Sequence, residues 1–194
     1  MGCSSLTARV FNRREWLAAG LLAASCARPK ALPIFNTVPP FHLTSQSGAS
    51  FNSAMLNGAP WLASFFFASC NGPCPRMNTA IHDIQEQTYA FKGLKFVSFT
   101  VDPERDTPEI LAAYAKRYKA DPARWFFLTG RREIISTVAK DGFQVGALDI
   151  AQSHSTRVML VDGQGRVRGH FPTTEKEEFD ALLAGISAVY QEAS

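Results

Sequence analysis

The sequence predicts an α/β sandwich: a central mixed sheet flanked by helices, with an N-terminal β-hairpin leading into it. Three observations carry that prediction. Continuous apolar runs such as Trp61–Phe67 have the pattern of strands buried on both faces. Segments of helical spacing separate these runs, which implies parallel pairing through helical crossovers. Near the C-terminus the alternation gives way to two strands around Asp162-Gly163-Gln164-Gly165, followed by one long helix.

Residues 1–25 read as a signal peptide, outside the fold. Arg13-Arg14 precede the apolar run Trp16–Ala24, which is shorter than the ~20 residues a membrane span needs and has the length of a signal core. Asn12-Arg13-Arg14-Glu15-Trp16-Leu17 resembles a twin-arginine export signal. Leu22-Ala23-Ala24-Ser25-Cys26 resembles a bacterial lipobox, with Ala23 where Leu is usual, and makes Cys26 the candidate lipidation site. One acyl chain anchors marginally, whereas several hold a protein firmly at a membrane surface. A myristoylation reading of Met1-Gly2-Cys3 is weaker, because Leu6 stands where a hydroxyl is wanted. The expectation is an exported protein on the periplasmic side, anchored to the membrane as a lipoprotein. Pro29, Pro33, Pro39 and Pro40 make residues 26–40 an extended tether, and residues 41–194 form the folded domain.

Within that domain, Phe41–Thr44 and the region around Phe51 form a small hairpin about Gln46-Ser47-Gly48. Trp61–Phe67 is the first buried strand. Arg76–Phe91 follows as a helix, with Pro75 at its first position, Met77, Ile81, Ile84 and Tyr89 near helical spacing, and Gly93 just past its end. Leu94–Phe99 is the next strand. Asp106 can cap the helix Thr107–Tyr118, with Glu109 completing a capping box. Trp125–Leu128 is a strand, and Arg131–Lys140 a helix closed by Gly142. Arg157–Val161 and Val167–Phe171 make the last hairpin, and Thr174 with Glu177 opens a helix reaching Tyr190. This order is that of a thioredoxin-like sandwich.

Composition narrows the function. The chain is 46% hydrophobic and 19% charged, which suits a domain with its own core. Its formal net charge is +3, but residues 1–25 hold three of the 20 basic side chains and one of the 17 acidic ones. The remaining 17 basic and 16 acidic groups leave +1 and no basic stripe, which argues against nucleic-acid binding.

The cysteines of the folded domain, Cys70 and Cys74, follow the strand 61–67. In such sheets sites form where loops leave the carboxyl ends of strands. Asp102–Asp106 follows the strand 94–99, so both segments are expected along one edge. Three readings of the thiols stand at this point. A structural disulfide closing so short a loop contributes about 2 kcal/mol on the chain-entropy estimate, and a domain of this size has little need of it. A thiol–disulfide couple suits an oxidising compartment and a Cys74 at a helix N-terminus, where the dipole favours thiolate. Against it, three residues separate the sulfurs where two are usual. A soft-metal clamp needs both thiolates on one ion and a further ligand.

Of the four histidines, His154 is best placed, in the polar loop Ala151–Thr156 just before strand 157–161. His42, His82 and His170 carry no partner signal and read as structural or exposed. Two sulfurs and an imidazole suit copper, as Cu(I) or, with an extra ligand, Cu(II). Structural zinc normally takes four protein ligands, and no fourth is found. Asp102 reads as a turn residue, with a second possible role in orienting His154 or a bound water. Asp106 reads as a cap, and Met77 as packing. A peroxiredoxin-like site is disfavoured, because Phe67 stands where Thr or Ser is needed three positions before the reactive cysteine.

Together these segments resemble the Sco/SenC family of copper-binding, thioredoxin-like proteins across about residues 41–190. Cys70-Asn71-Gly72-Pro73-Cys74-Pro75 is similar to the family's C-x-x-x-C-P, and Val101–Pro108 to its D-P-E-R-D-T segment. His154-Ser155 is similar to the family's histidine before a strand, with Ser153 where Asp is usual. The resemblance implies copper ligation by Cys70, Cys74 and His154. It also implies delivery of copper to the binuclear CuA site of cytochrome c oxidase subunit II, or reduction of that site's cysteines. The N-terminal membrane helix common in the family is here replaced by the expected lipid anchor.

Overall fold

The computed structural model describes residues 32–146, 157–173 and 175–192. The segment read as a signal peptide, Cys26, His154 and Thr174 lie outside the described residues. In chain order the elements are β1 (Asn36–Thr37), β2 (His42–Ser45), β3 (Ser50–Asn52), a 3₁₀ turn (Ser53–Leu56), β4 (Trp61–Phe66), α1 (Pro73–Gln87), β5 (Lys95–Thr100) and α2 (Pro108–Arg117). Then follow β6 (Trp125–Thr129), α3 (Arg132–Thr137) with a π turn (Val138–Gly142), β7 (Arg157–Val161), β8 (Arg166–Pro172) and α4 (Lys176–Glu192). The sheet runs β1-β8-β7-β4-β5-β6-β2-β3. Its centre, β4-β5-β6, is parallel, and the remaining pairs are antiparallel. This is the thioredoxin-like sandwich with mixed sheet and N-terminal hairpin that the sequence predicts.

Every residue of β4 is buried, because it sits mid-sheet with cores on both faces. Leu62 and Phe66 face one core, shared with Met77, Ile81 and Ile84 of α1, Leu111 and Tyr114 of α2, and Leu182 and Ile186 of α4. Trp61, Ala63 and Phe65 face the other, built with Phe41 and Phe51 of the hairpin segment, Ile135 of α3, Val138 and Phe143. Each such large apolar side chain contributes about 1.5–3 kcal/mol on burial. At mid-sheet the buried polar groups pair with one another: the Ser64 and Ser98 hydroxyls lie 2.9 Å apart, and Trp125 Nε1 donates to Ser98 Oγ at 2.9 Å.

Several expectations are revised. The segment read as a tether adds the edge strand β1, with Asn36 opposite Val167 and Thr37 opposite Arg166. Helix α1 ends at Gln87, so Tyr89 falls beyond it and is 79% exposed, not part of the core. Thr88 ends the helix by donating its hydroxyl to Ile84 O at 2.6 Å. The helix after β6 stops at Thr137 and widens into the π turn before Phe143. At the far end of the sheet from the cysteines, Gly163 must be glycine. A Cβ there would come within 2.7 Å of the Gly58 carbonyl carbon, where Gly58 N donates to Gly163 O at 2.8 Å.

Candidate metal centre

The chain turns sharply where β4 ends. Cys70 N donates to Phe67 O at 3.1 Å, and α1 begins three residues after Cys70. Pro73, not Pro75, takes the first helical position. Its fixed φ suits helix entry, and Pro75 is tolerated two residues later because first-turn N–H groups have no intrahelical partner. Cys74 therefore lies inside the first turn of α1, and Cys70 in the approach to it.

Both thiols are free and nearly buried, at 9% exposure for Cys70 and 7% for Cys74. They are neighbours, close enough for Cys70 to act on the Cys74 thiol. The sequence alone favours a thiolate at Cys74, because of the helix N-terminus. The structure reverses this. Burial, reinforced by the hydrogen bond with Cys70, pushes the Cys74 thiol up to about 12, and backbone hydrogen bonding from Phe67 offsets only part of that. Two adjacent, poorly solvated thiols can do two things: release their protons to solvent as a soft cation binds the sulfurs, or join as a disulfide by giving two electrons and two protons to an oxidant such as a target disulfide.

The Asp102–Asp106 segment lies on the same edge, as expected. Val101 N donates to Phe66 O at 2.8 Å, linking the exits of β5 and β4. Asp106 is not the helix cap. Thr107 caps α2, its hydroxyl accepting from Ile110 N at 3.5 Å, with Pro108 at the first position. The Asp106 carboxylate is instead buried, and its Oδ2 accepts from Ala68 N at 3.0 Å and from the Thr100 hydroxyl. It thus fastens the turn that leads to Cys70. The sequence signal available for this was that Thr107-Pro108 already supplies a helix start, which frees Asp106 for other work. Asp102 is partly exposed. Its N donates to Thr100 Oγ1 at 3.0 Å, and its Oδ2 pairs with Arg105 Nη1 at 3.2 Å.

Among the described residues, no three His, Cys, Asp or Glu side chains converge as a metal site. The thiols stand as a pair, and His154 lies outside the described residues. His42 is exposed. His170 packs edge-on against Phe35, its ring centroid 5.5 Å away, and its pKa is lowered by burial and then by Arg157. His82 is half-buried on α1. Sequence reasoning passed over two groups beside Cys74, namely Asn78 and Tyr114. Asn78 Nδ2 donates to Cys74 O at 2.9 Å and to Tyr114 Oη at 3.0 Å. An Asn on the helix face that also buries Met77, Ile81 and Ile84 was the signal.

No helix among the described residues is long and apolar enough to cross a membrane.

Known proteins bear on this arrangement. A SCO2-like protein of Rickettsia prowazekii is 35% identical over 142 residues, covering 68% of this chain and 67% of its own. A SCO1/SenC family lipoprotein from Bacillus anthracis matches in structure with a TM-score of 0.73 and 28% identity, over 82% of this chain and 98% of that one. BsSco, described as a member of the Sco family of cytochrome c oxidase assembly proteins with a disulfide switch, matches with TM-score 0.73 and 28% identity, over 82% and 97%. The fold is also that of Bradyrhizobium japonicum ScoI, solved with copper bound, at TM-score 0.61 and 22% identity, over 76% and 98%. The family model described as SCO1/SenC matches residues 30–190, most of the chain, and the protein belongs to that family.

Proposed function

We propose that this protein is a copper metallochaperone. It carries one copper ion, as Cu(I) or Cu(II), on the Cys70 and Cys74 thiolates and the His154 imidazole. It passes the ion to the CuA site of cytochrome c oxidase subunit II or to another copper acceptor. The observation that carries this reading is the buried pair of free thiols in mutual contact at the start of α1. Its family includes an oxidase assembly protein and a copper-bound member, which supports the same cargo and destination. Asp102 is proposed to orient His154 or a bound water. Residues 1–25 direct export, and acylation of Cys26 holds the domain at the periplasmic membrane surface, in line with a family member described as a lipoprotein.

The chemistry follows from burial. Soft donors bind copper as thiolates, so loading expels thiol protons to solvent. The hydrophobic surround makes free thiolates costly, which favours the loaded or the protonated state over a bare anion. The test is metal analysis of the reduced domain after Cu(I) addition and desalting. Wild type retains about one copper per chain, while Cys70→Ala and Cys74→Ala retain little. Equal retention by all three proteins would contradict the proposal.

A second reading rests on the contact between the thiols. The protein would act as a thiol–disulfide reductase, keeping target cysteines reduced for metallation. Cys70 and Cys74 would give two electrons and two protons to a target disulfide, becoming a disulfide themselves while the target becomes a dithiol. Metal-free reduced protein should then reduce an oxidised CuA-type dithiol peptide. Failure to do so, with copper transfer intact, excludes this reading.

A further inference from the structure

Asn78 is a poor choice for stability alone. It is fully buried in the core beneath the cysteines, one helical turn after Cys74. An apolar side chain of similar size would suit the core that Met77, Ile81 and Ile84 of the same helix help to build. Its amide is only half used. Nδ2 makes two hydrogen bonds, whereas Oδ1 has no partner among the described residues. Leaving a buried acceptor unpaired is unfavourable, so the retained amide calls for another explanation.

Its two bonds join the first turn of α1 to α2. One holds the carbonyl of Cys74 itself. The other reaches across to Tyr114 on α2, whose ring stacks on Phe66 at 5.0 Å and 24°. Phe66 is the last residue of β4, just before the turn that carries Cys70. Tyr114 in turn leans on Tyr118, ring to ring at 4.9 Å. The Asn78 amide thus ties the Cys74 turn to α2, and through the Tyr114 ring to the strand end that launches Cys70.

We infer that Asn78 is a positioning residue for the thiol pair, holding the Cys74 turn in register with Cys70 through Tyr114. It touches neither cargo nor reacting atoms. The inference rests on the thiol pair being the working site, and it extends that reading to what sets the geometry of the sulfurs. Preorganised donors bind a metal more tightly and close a disulfide more readily than loose ones.

The experiment compares wild type with Asn78→Leu and Tyr114→Phe, the latter keeping the ring on Phe66. Three quantities are measured: Cu(I) affinity by chelator competition, the thiol–disulfide equilibrium with glutathione, and the unfolding midpoint of metal-free protein. In the second, oxidised glutathione takes two electrons and two protons from Cys70 and Cys74 and leaves as two reduced molecules. Asn78→Leu is expected to lower Cu(I) affinity about five- to tenfold, the scale of one or two lost hydrogen bonds. It should move the glutathione equilibrium toward the dithiol by a similar factor; tenfold is about 30 mV for this couple. The metal-free unfolding midpoint should hold or rise, because a half-satisfied amide is removed. Tyr114→Phe should reproduce part of the effect, and it decides the matter if Asn78→Leu does not fold. Wild-type values for copper and glutathione in both variants would overturn the inference. A wild type that takes no copper, with the glutathione equilibrium still shifted in the variants, would overturn the metallochaperone reading and leave Asn78 as a positioning residue.

Discussion

Two polar clusters lie in different parts of this molecule, and they are built in opposite ways. Beside the β7–β8 turn, Asp162 accepts from Arg166 Nε at 2.7 Å, from Arg168 Nη1 at 3.1 Å and from the backbone N of Gln164 and Arg166 at 3.0 Å each. Arg168, itself 3% exposed, also binds Glu192 of α4 at 2.7 Å and the carbonyls of Leu32 and Pro33. Charge is paired there, and one guanidinium gathers both ends of the folded domain. At the cysteines, by contrast, burial holds the Cys74 thiol in its protonated form, and the buried Asn78 amide keeps an unpaired oxygen. A completed network stabilises one structure. An incomplete one has chemistry left to do.

Breaking the completed cluster should have the largest effect on stability and the smallest on the site. Arg168→Ala removes the buried guanidinium that joins Asp162, Glu192 and the carbonyls of Leu32 and Pro33. It is expected to destabilise the domain by about 3–5 kcal/mol in urea unfolding, with copper retention per folded chain unchanged. Asp106→Ala should separate the regions from the other side. It strands the Ala68 N–H and the Thr100 hydroxyl, for roughly 2–4 kcal/mol, and because it loosens the turn before Cys70 it should also weaken copper binding. If Arg168→Ala impaired copper binding as much as Asp106→Ala, the contrast between the clusters would be wrong.

The clusters also differ in their response to pH. Burial alone would raise the Asp162 carboxyl, but the bonds from Arg166, Gln164 and Arg168 outweigh it and hold the pKa below its ordinary value. A depressed carboxylate pKa gives stability that is present above the usual carboxylate range and is lost as pH falls through the folded value. Acid titration of unfolding should therefore be shallower in Asp162→Asn than in wild type. Cys74 responds at the other end. With its thiol pushed up to about 12, it stays protonated from pH 6 to 8, and on the proposed function an incoming copper ion would have to displace that proton. Apparent copper affinity should rise about tenfold per pH unit from this group alone, read by chelator competition at pH 6, 7 and 8. The smallest effect belongs to neither cluster. Tyr89 lies exposed with the Arg124 guanidinium 5.8 Å from its ring, and Tyr89→Ala should cost about 0.5–1 kcal/mol at most, with copper binding untouched.

The sequence made the sheet legible because burial on both faces leaves an unmistakable apolar run, as in Trp61–Phe66. It made the cysteine turn legible because a strand, a pair of sulfurs and a proline fall in order. Features that depend on distant partners were not legible. Strand β1 exists only because β8 lies beside it. Asp106 satisfies the local pattern of a cap, and only the fold reveals that its carboxylate is spent on Ala68 and Thr100. The choice between Pro73 and Pro75 was a matter of two residues, yet it decides that Cys74 sits within the helix. The protonated state of Cys74 was misjudged for a related reason: the helix end is visible in sequence, and the depth of burial is not.

The central claim is that Cys70, Cys74 and His154 hold copper together. The most direct measurement is Cu(I) affinity and Cu(II) spectroscopy of the reduced domain, wild type beside His154→Ala. Wild type should bind about one copper, with sulfur-to-copper charge-transfer absorption in the Cu(II) form. His154→Ala should lose more than about a hundredfold in affinity, beyond the 10–100-fold typical of losing a group that merely orients a ligand, and its absorption should shift. Equal affinity and an unchanged spectrum in the two proteins would contradict the account.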